Sequence, residues 1–293
     1  MSSIRRTSRH SLCALITLGL VGCITTRAGA QQAPTSSPDV IAVASGFDIV
    51  NDYMFRGVRQ NSTGVAMWPF VDLAVTPYSS DGTFKRLAID VGFWNSVNTG
   101  DTGSGGPTGK AWYESRFYGS VGLQFAKGVS VATSYTAYTS PNDMFTTAKE
   151  IGVKLSVDDR AALGRAAVRP YALAAFEVGA SAGEGQLDGG QHPGTYLELG
   201  VTPGYVARRV TFTVPVKVGL SLRDYYEFAG KDNRFGFASV GGIVTVPLGG
   251  TSRIGRLNVH GGVEVEALGE TTKVFNGRDR TKVIASLGFG LTR

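Results

Sequence analysis

Only two cysteines occur among the 293 residues, Cys13 and Cys23, and both fall within the first thirty. If that segment is removed, disulfides and thiolate-bound metals are excluded from the rest of the chain. Histidine is nearly as scarce, with three in all, and only His192 and His260 lie beyond residue 30. Long apolar runs are missing too. Apart from Leu12 to Ile24, no stretch approaches the ~20 residues that a membrane helix needs. A chain of this composition that spans a membrane spans it as strands.

What is present begins with the three parts of an export signal. Arg5, Arg6 and Arg9 form a positive start, Leu12 to Ile24 an apolar middle, and Ala28-Gly29-Ala30 a small-residue cleavage site before Gln31. The pair Arg5-Arg6 lacks the apolar residues of a twin-arginine signal and reads as ordinary positive charge. A rival site, Leu20-Val21-Gly22-Cys23, resembles a lipobox and would leave Cys23 lipidated; cleavage after Ala30 is the expectation, because a spanning barrel needs no lipid anchor. Cleavage there removes four arginines (Arg5, Arg6, Arg9, Arg27) and no acid, so the formal charge falls from +6 to +2. That small excess argues against a nucleic-acid-binding surface. The expected organisation is a signal over 1–30, a Pro/Ser-rich leader over 31–39 and one domain over 40–293.

Within that domain, about twelve short runs alternate apolar and polar residues with period two, separated by Gly-, Asp- and Thr-rich breaks. The first run, Val43 to Val58, sets Phe47, Ile49, Tyr53 and Phe55 against Asp48, Asp52 and Arg56. The second, Ala66 to Thr76, sets Val71, Leu73 and Val75 against Asp72. The third sets Leu87, Ile89, Val91 and Phe93 against Asp90, and the fourth sets Tyr113, Phe117, Val121, Leu123 and Phe125 against Glu114, Arg116 and Gln124. Later runs place Glu150, Lys154, Glu198, Lys217, Arg223, His260, Glu264 and Glu266 on the polar face. The last has Val283, Ala285, Leu287, Phe289 and Leu291 opposite Ser286, Gly288 and Gly290.

A soluble β-sandwich can show the same two faces, but three features favour a closed barrel in an outer membrane. Nearly every run alternates. The breaks tend to differ in length by turns: Asn95 to Ala111, Ala182 to Gly194, Asp224 to Asn233 and Leu268 to Lys282 are long, whereas Ala126-Lys127-Gly128 and Pro203 to Arg209 are tight, although Asp158 to Ala167 is not; this is the loop asymmetry of such barrels. Finally, Tyr113 and Phe125 share one face twelve residues apart, ~30 Å along the normal at ~3.3 Å per residue and ~40° tilt, the spacing of two aromatic girdles. Trp68, Trp94 and Trp112 near strand ends read as interfacial anchors. Pro215 inside the ninth run calls for a bulge or a water contact, and the facing of Phe235 to Val246 is ambiguous.

One segment carries a family resemblance. Gly46-Phe47-Asp48-Ile49-Val50-Asn51-Asp52-Tyr53-Met54-Phe55-Arg56-Gly57-Val58-Arg59-Gln60 resembles the opening strand of the TorF-type (Gcw-type) porin family, roughly S-D-Y-x-F-R-G-x-S-Q, with Asn51 and Arg59 standing where that pattern has serines. The resemblance implies an outer-membrane barrel. It supplies neither a substrate nor catalytic residues.

Asp48, Asp52, Arg56, Asp72, Asp90, Glu114 and Arg116 therefore read as a charge network facing the lumen. Acids and bases there pair with one another, as a barrel interior requires, and rings of charge can also tune ion passage. Gly57 reads as backbone relief at a strand end. Catalysis is not expected: neither His192, in the loop Gly189 to Pro193, nor the lumen residue His260 has the His-x-Ser-Asn setting of a barrel lipase. Ser104 to Ala111 departs from a phosphate loop at Ser104 and Ala111, and the loop around Glu184 and Asp188 lacks the spaced carboxylates of a calcium loop. No cofactor and no metal are expected. The overall expectation is an all-β, transmembrane antiparallel barrel of about twelve strands in the outer membrane, contacting lipid and passing small polar solutes or ions through a narrow charged lumen. Its alternatives are a non-conducting structural or adhesive barrel acting through its loops, and a β-sandwich lipoprotein anchored at Cys23.

Overall fold

Period-two alternation gives a strand two faces of opposite character, and a sheet of such strands must turn one face away from water. In a computed structural model the sheet does so by closing on itself. Residues 40–293 are described, except 62, 101–109, 180, 182, 183, 188, 189, 253 and 254. The signal, the leader, Cys13, Cys23, Asp188 and residues 104–109 of the phosphate-like loop lie outside the described residues.

Twelve antiparallel strands form the barrel: β1 (Ile41–Val50), β2 (Ala66–Ser79), β3 (Phe84–Asn98), β4 (Trp112–Phe125), β5 (Val129–Thr139), β6 (Ala148–Val157), β7 (Tyr171–Glu177), β8 (Thr195–Val201), β9 (Val216–Arg223), β10 (Phe235–Ser252), β11 (Gly255–Leu268) and β12 (Thr281–Thr292). Each pairs with its neighbours in sequence, and β1 closes the ring on β12 through Ala44↔Thr292 to Val50↔Ser286. With each of these twelve strands paired on both sides, the ring itself leaves no edge open. A short hairpin, Gly204–Ala207 with Val210–Thr213, prolongs β8 and β9. No described helix is long and apolar enough to cross a membrane.

The apolar face points outward. Phe47, Val71, Ile89, Val91, Phe117, Val121, Leu155, Val263, Val283, Leu287 and Phe289 are all exposed, whereas Asp48, Arg86, Glu114, Arg116, Glu150, Glu198, His260 and Glu266 are buried inside. Among the described residues no second large sheet packs against the outer face, and the sandwich alternative fails because the sheet closes into a barrel. A continuous outward band of this kind far exceeds the apolar patches that water-soluble monomers expose, and it matches a hydrocarbon surround.

Long connections gather at one end, over 51–65, 99–111, 140–147, 178–194, 224–234 and 269–280, and the start of β1 and the end of β12 lie at the other. Turns at the terminal end are mostly tight, such as 80–83 and 126–128, where Lys127 and Gly128 both take positive φ. Residues 158–170 are the exception, carrying a short helix, Arg160–Leu163.

Irregularities settle the facings that alternation left open. A register shift between Ser96 and Val97 on β3, opposite β4, turns Tyr113 inward to 6% exposure, so Tyr113 is not a lipid-facing girdle residue. A shift between Gly219 and Leu220 puts Phe235 outside and Phe237 inside. Around Pro215 the ladder breaks at Val214-Pro215, and the facing strand offers Gly241, whose N–H donates to the Pro215 carbonyl at 2.8 Å.

Candidate functional site: an inward hairpin at the barrel mouth

β1 stops at Val50, short of the run that alternation suggests. The next residues turn into the barrel. Met54–Phe55 pairs with Val58–Arg59 as a two-rung hairpin, joined by Arg56 (φ 49°) and Gly57 (φ 81°). Two successive positive φ values define the tight hairpin turn that twists with its strands. Gly57 meets that demand without a Cβ; a side chain there would also press on the Phe237 Cβ at 3.0 Å.

Aromatic side chains from opposite walls fill the space around this hairpin. Tyr53 packs edge-on against Trp68 and Trp94, at centroid distances of 5.1 and 5.7 Å, and Phe55 against Tyr138 at 5.6 Å. Trp68 and Trp94, each 3% exposed, thus lie inside rather than at the lipid interface. Trp112 alone is half-exposed, with its indole N–H donating to Asn95 at 3.0 Å.

Two buried arginines lie among these rings. Arg56 donates from Nη1 and Nη2 to Glu150, at 2.6 and 2.9 Å, and from Nη1 to the Tyr225 hydroxyl at 2.7 Å. Its guanidinium lies 4.1 Å from the Tyr196 ring centroid, a cation–π geometry. Arg116 pairs with Glu114 and with the Tyr53 hydroxyl, which in turn donates to Glu114 Oε2 at 2.7 Å. Both charges are removed from water, and each is matched by a carboxylate and ring faces.

Neighbouring mouth segments clasp the hairpin. The Tyr226 hydroxyl donates to the Arg56 carbonyl at 2.9 Å, and Asn276 Nδ2 to the Gly57 carbonyl at 2.7 Å. Asn276 follows a short helix, Glu270–Phe275, whose Thr271 hydroxyl donates to the Tyr226 carbonyl at 3.0 Å. The segment 51–61 is therefore held by the strand walls and by the connections 224–234 and 269–280.

The other expected network residues divide. Asp48 meets His260 Nε2 at 2.7 Å, and His260 Nδ1 lies 2.9 Å from Asn258 Oδ1. Gly288 leaves room for that pair, since a Cβ would strike both Asp48 Oδ1 and His260 Nε2. Asp72 accepts from the Tyr118 hydroxyl, and Asp90 from Ser120 at 3.2 Å. Glu114 and Arg116 pair as described. Asp52 and Arg56 lie outside the strands and meet partners on different ones: Asp52 sits in a bend 3.9 Å from Lys282, while Arg56 reaches Glu150. The signal overlooked in the sequence is Phe55-Arg56-Gly57-Val58, a turn pair between apolar residues.

Four further acids on the polar face of the strands are buried. Glu150 receives Arg56; Glu198 accepts from the Tyr171 and Tyr196 hydroxyls at 2.8 and 2.7 Å; Glu264 pairs with Lys217 at 3.0 Å. Glu266 is 2% exposed, and its Oε2 has no hydrogen-bond partner.

No protein family and no curated protein matches the sequence. Solved structures match over most of their length at low identity. A NanC porin is 14% identical, with 86% of this chain and 98% of that chain covered and a TM-score of 0.43. The outer membrane phospholipase A from Escherichia coli is 11% identical over 85% and 92%, with a TM-score of 0.45. An outer membrane channel from Pseudomonas putida F1 is 10% identical over 88% and 97%, with a TM-score of 0.48. One is described as a porin and two as outer-membrane proteins, and the likeness extends to fold alone.

Proposed function

We propose that this chain is an outer-membrane channel of porin type, with its termini in the periplasm and its long connections outside, whose lumen is closed at the outer mouth by segment 51–61. Small polar solutes or ions would pass when that segment yields. The observation that carries the reading is the hairpin itself: a charged arginine held inside a membrane barrel by one carboxylate, one hydroxyl and ring faces is a latch that a single rearrangement would open. Below it, Asp48, Asp72, Asp90, Glu198 and Glu264 supply the fixed charges that would tune ion passage.

Planar-bilayer recording tests this reading. Wild-type protein should show rare or small openings, and Arg56→Ala should raise open probability several-fold. A barrel shown by heat-modifiable gel mobility to be folded, yet silent in both forms, would overturn it. That result would favour the second reading, a non-conducting barrel acting through its loops, for which the tight aromatic filling around Tyr53 and Phe55 speaks.

A further inference from the structure

The same mouth carries a cluster that the charge network does not use. His192, Asp224 and Glu227 each offer one ligand atom, and those atoms all lie within 4.8 Å of one another. They come from two connections, 178–194 and 224–234, and among the described residues they are the one such group. His192 Nδ1 stands 2.9 Å from Glu227 Oε1. Two ligands at ~2.0–2.2 Å on a tetrahedral metal sit about 3.3 Å apart, so a metal can replace the shared proton with little movement.

The surroundings support the ligands. Glu227 Oε2 accepts from the backbone N–H groups of Gln191 and His192, both at 2.9 Å, which fixes the carboxylate while its Oε1 faces the imidazole. Asp224 is held only loosely by Arg223, at 3.9 Å, and the imidazole is 65% exposed, so an ion can enter from solvent. We infer that His192, Asp224 and Glu227 form a binding site for a borderline divalent metal such as Zn²⁺ or Co²⁺, completed by water. One imidazole and two carboxylates suit such ions, whereas hard Ca²⁺ and Mg²⁺ prefer oxygen alone.

The placement gives the site a consequence. Asp224 and Glu227 bracket Tyr225, which joins Glu150 in holding the Arg56 guanidinium, and Tyr226, which holds the Arg56 carbonyl. A metal tying this stretch to His192 would fasten the clasp on the inward hairpin. The site itself does not depend on solute passing through the lumen.

The test uses full-length, untagged protein folded in detergent and Co²⁺ as the probe. Titration should produce visible ligand-field bands that saturate at one Co²⁺ per chain, with Zn²⁺ displacing them. His192→Ala, at an exposed position that leaves the fold intact by gel mobility, should weaken binding at least about tenfold, and Asp224→Asn should do likewise. Absence of a saturable site below about 1 mM, or His192→Ala binding Co²⁺ as tightly as wild type, would overturn the assignment.

Discussion

Arg56 and Glu150, 94 residues apart in sequence, meet in a two-pronged ion pair inside the barrel, with both side chains almost fully removed from solvent. Such a pair is costly to break from one side only, because the survivor keeps its desolvation penalty without its partner. Removing both charges is a different perturbation. A double-mutant cycle therefore separates the pair from the packing around it. Glu150→Leu alone should lower the unfolding free energy in urea by about 3–5 kcal/mol, and Arg56→Leu/Glu150→Leu should recover much of that loss. Additive single and double effects would show that the two residues do not interact.

The turn that presents Arg56 depends on Gly57. A β-branched residue at φ 81° costs roughly 1–2 kcal/mol, and the close approach to Phe237 adds to it. Gly57→Val should loosen the hairpin without disturbing the strands. Trypsin offers a direct readout, since Arg56 and Arg59 are within the hairpin and Arg56 is buried. Cleavage there should be slow in wild type and several-fold faster in the variant; equal rates would mean that the hairpin is already open.

The barrel wall was legible in the sequence because its cause is local. Asp72, Asp90, Glu114 and Arg116 alternate with aliphatic neighbours, and a lipid surround obliges them to face inward. Strand number follows from the same alternation, and loop asymmetry from the lengths of the breaks between the runs. The inward hairpin follows from no such rule. Tyr53 and Phe55 keep the parity of β1, and alternation alone extends the strand through them; only the turn-forming Arg56-Gly57 pair and the partners on distant strands say otherwise. Tyr113, Trp68 and Trp94 escape the pattern for a related reason, because an aromatic residue fits a girdle and a filled interior equally well. Glu150 lies among the polar-face residues, yet its pairing with Arg56 is a long-range fact that spacing does not encode.

Glu266 and Glu264 provide an internal contrast on one strand. Glu264 neutralises Lys217, whereas Glu266 buries a carboxylate oxygen with no hydrogen-bond partner. Glu266→Leu removes that unmet group and should stabilise the folded barrel by about 1–3 kcal/mol. Glu264→Leu strands the ammonium and should destabilise it. The sign of the two shifts in urea midpoint, measured side by side, decides the matter; a loss in both would mean that Glu266 has a partner in solution.

At the terminal end, the Arg160 side chain holds Asp158 below the usual carboxylate range by hydrogen bonds at 2.8 and 2.5 Å. A depressed folded-state pKa adds stability above the unfolded value of 3.8 and loses it as pH falls through the lower folded value. Residues 158–170 should therefore stay protected from amide exchange at pH 5 to 7 and open below about pH 4. Because Asp158 is partly exposed, solvent screens the pair and the effect should remain confined to this connection. Protection unchanged down to pH 2 would remove Asp158 as its source.

The three tryptophans test the direction of the barrel wall in a single experiment. Trp68 and Trp94 face the interior against Tyr53, while Trp112 lies over Asn95 on the outer side at the mouth. Bromine on a lipid tail quenches indoles only at short range, so only an indole in contact with lipid should respond. In vesicles of brominated lipid, wild-type fluorescence should fall by the share that Trp112 contributes, and Trp112→Phe should leave an emission that the same lipid hardly dims. Strong quenching of that variant would place Trp68 or Trp94 in hydrocarbon, and with them the hairpin would lose the aromatic bed that holds Tyr53.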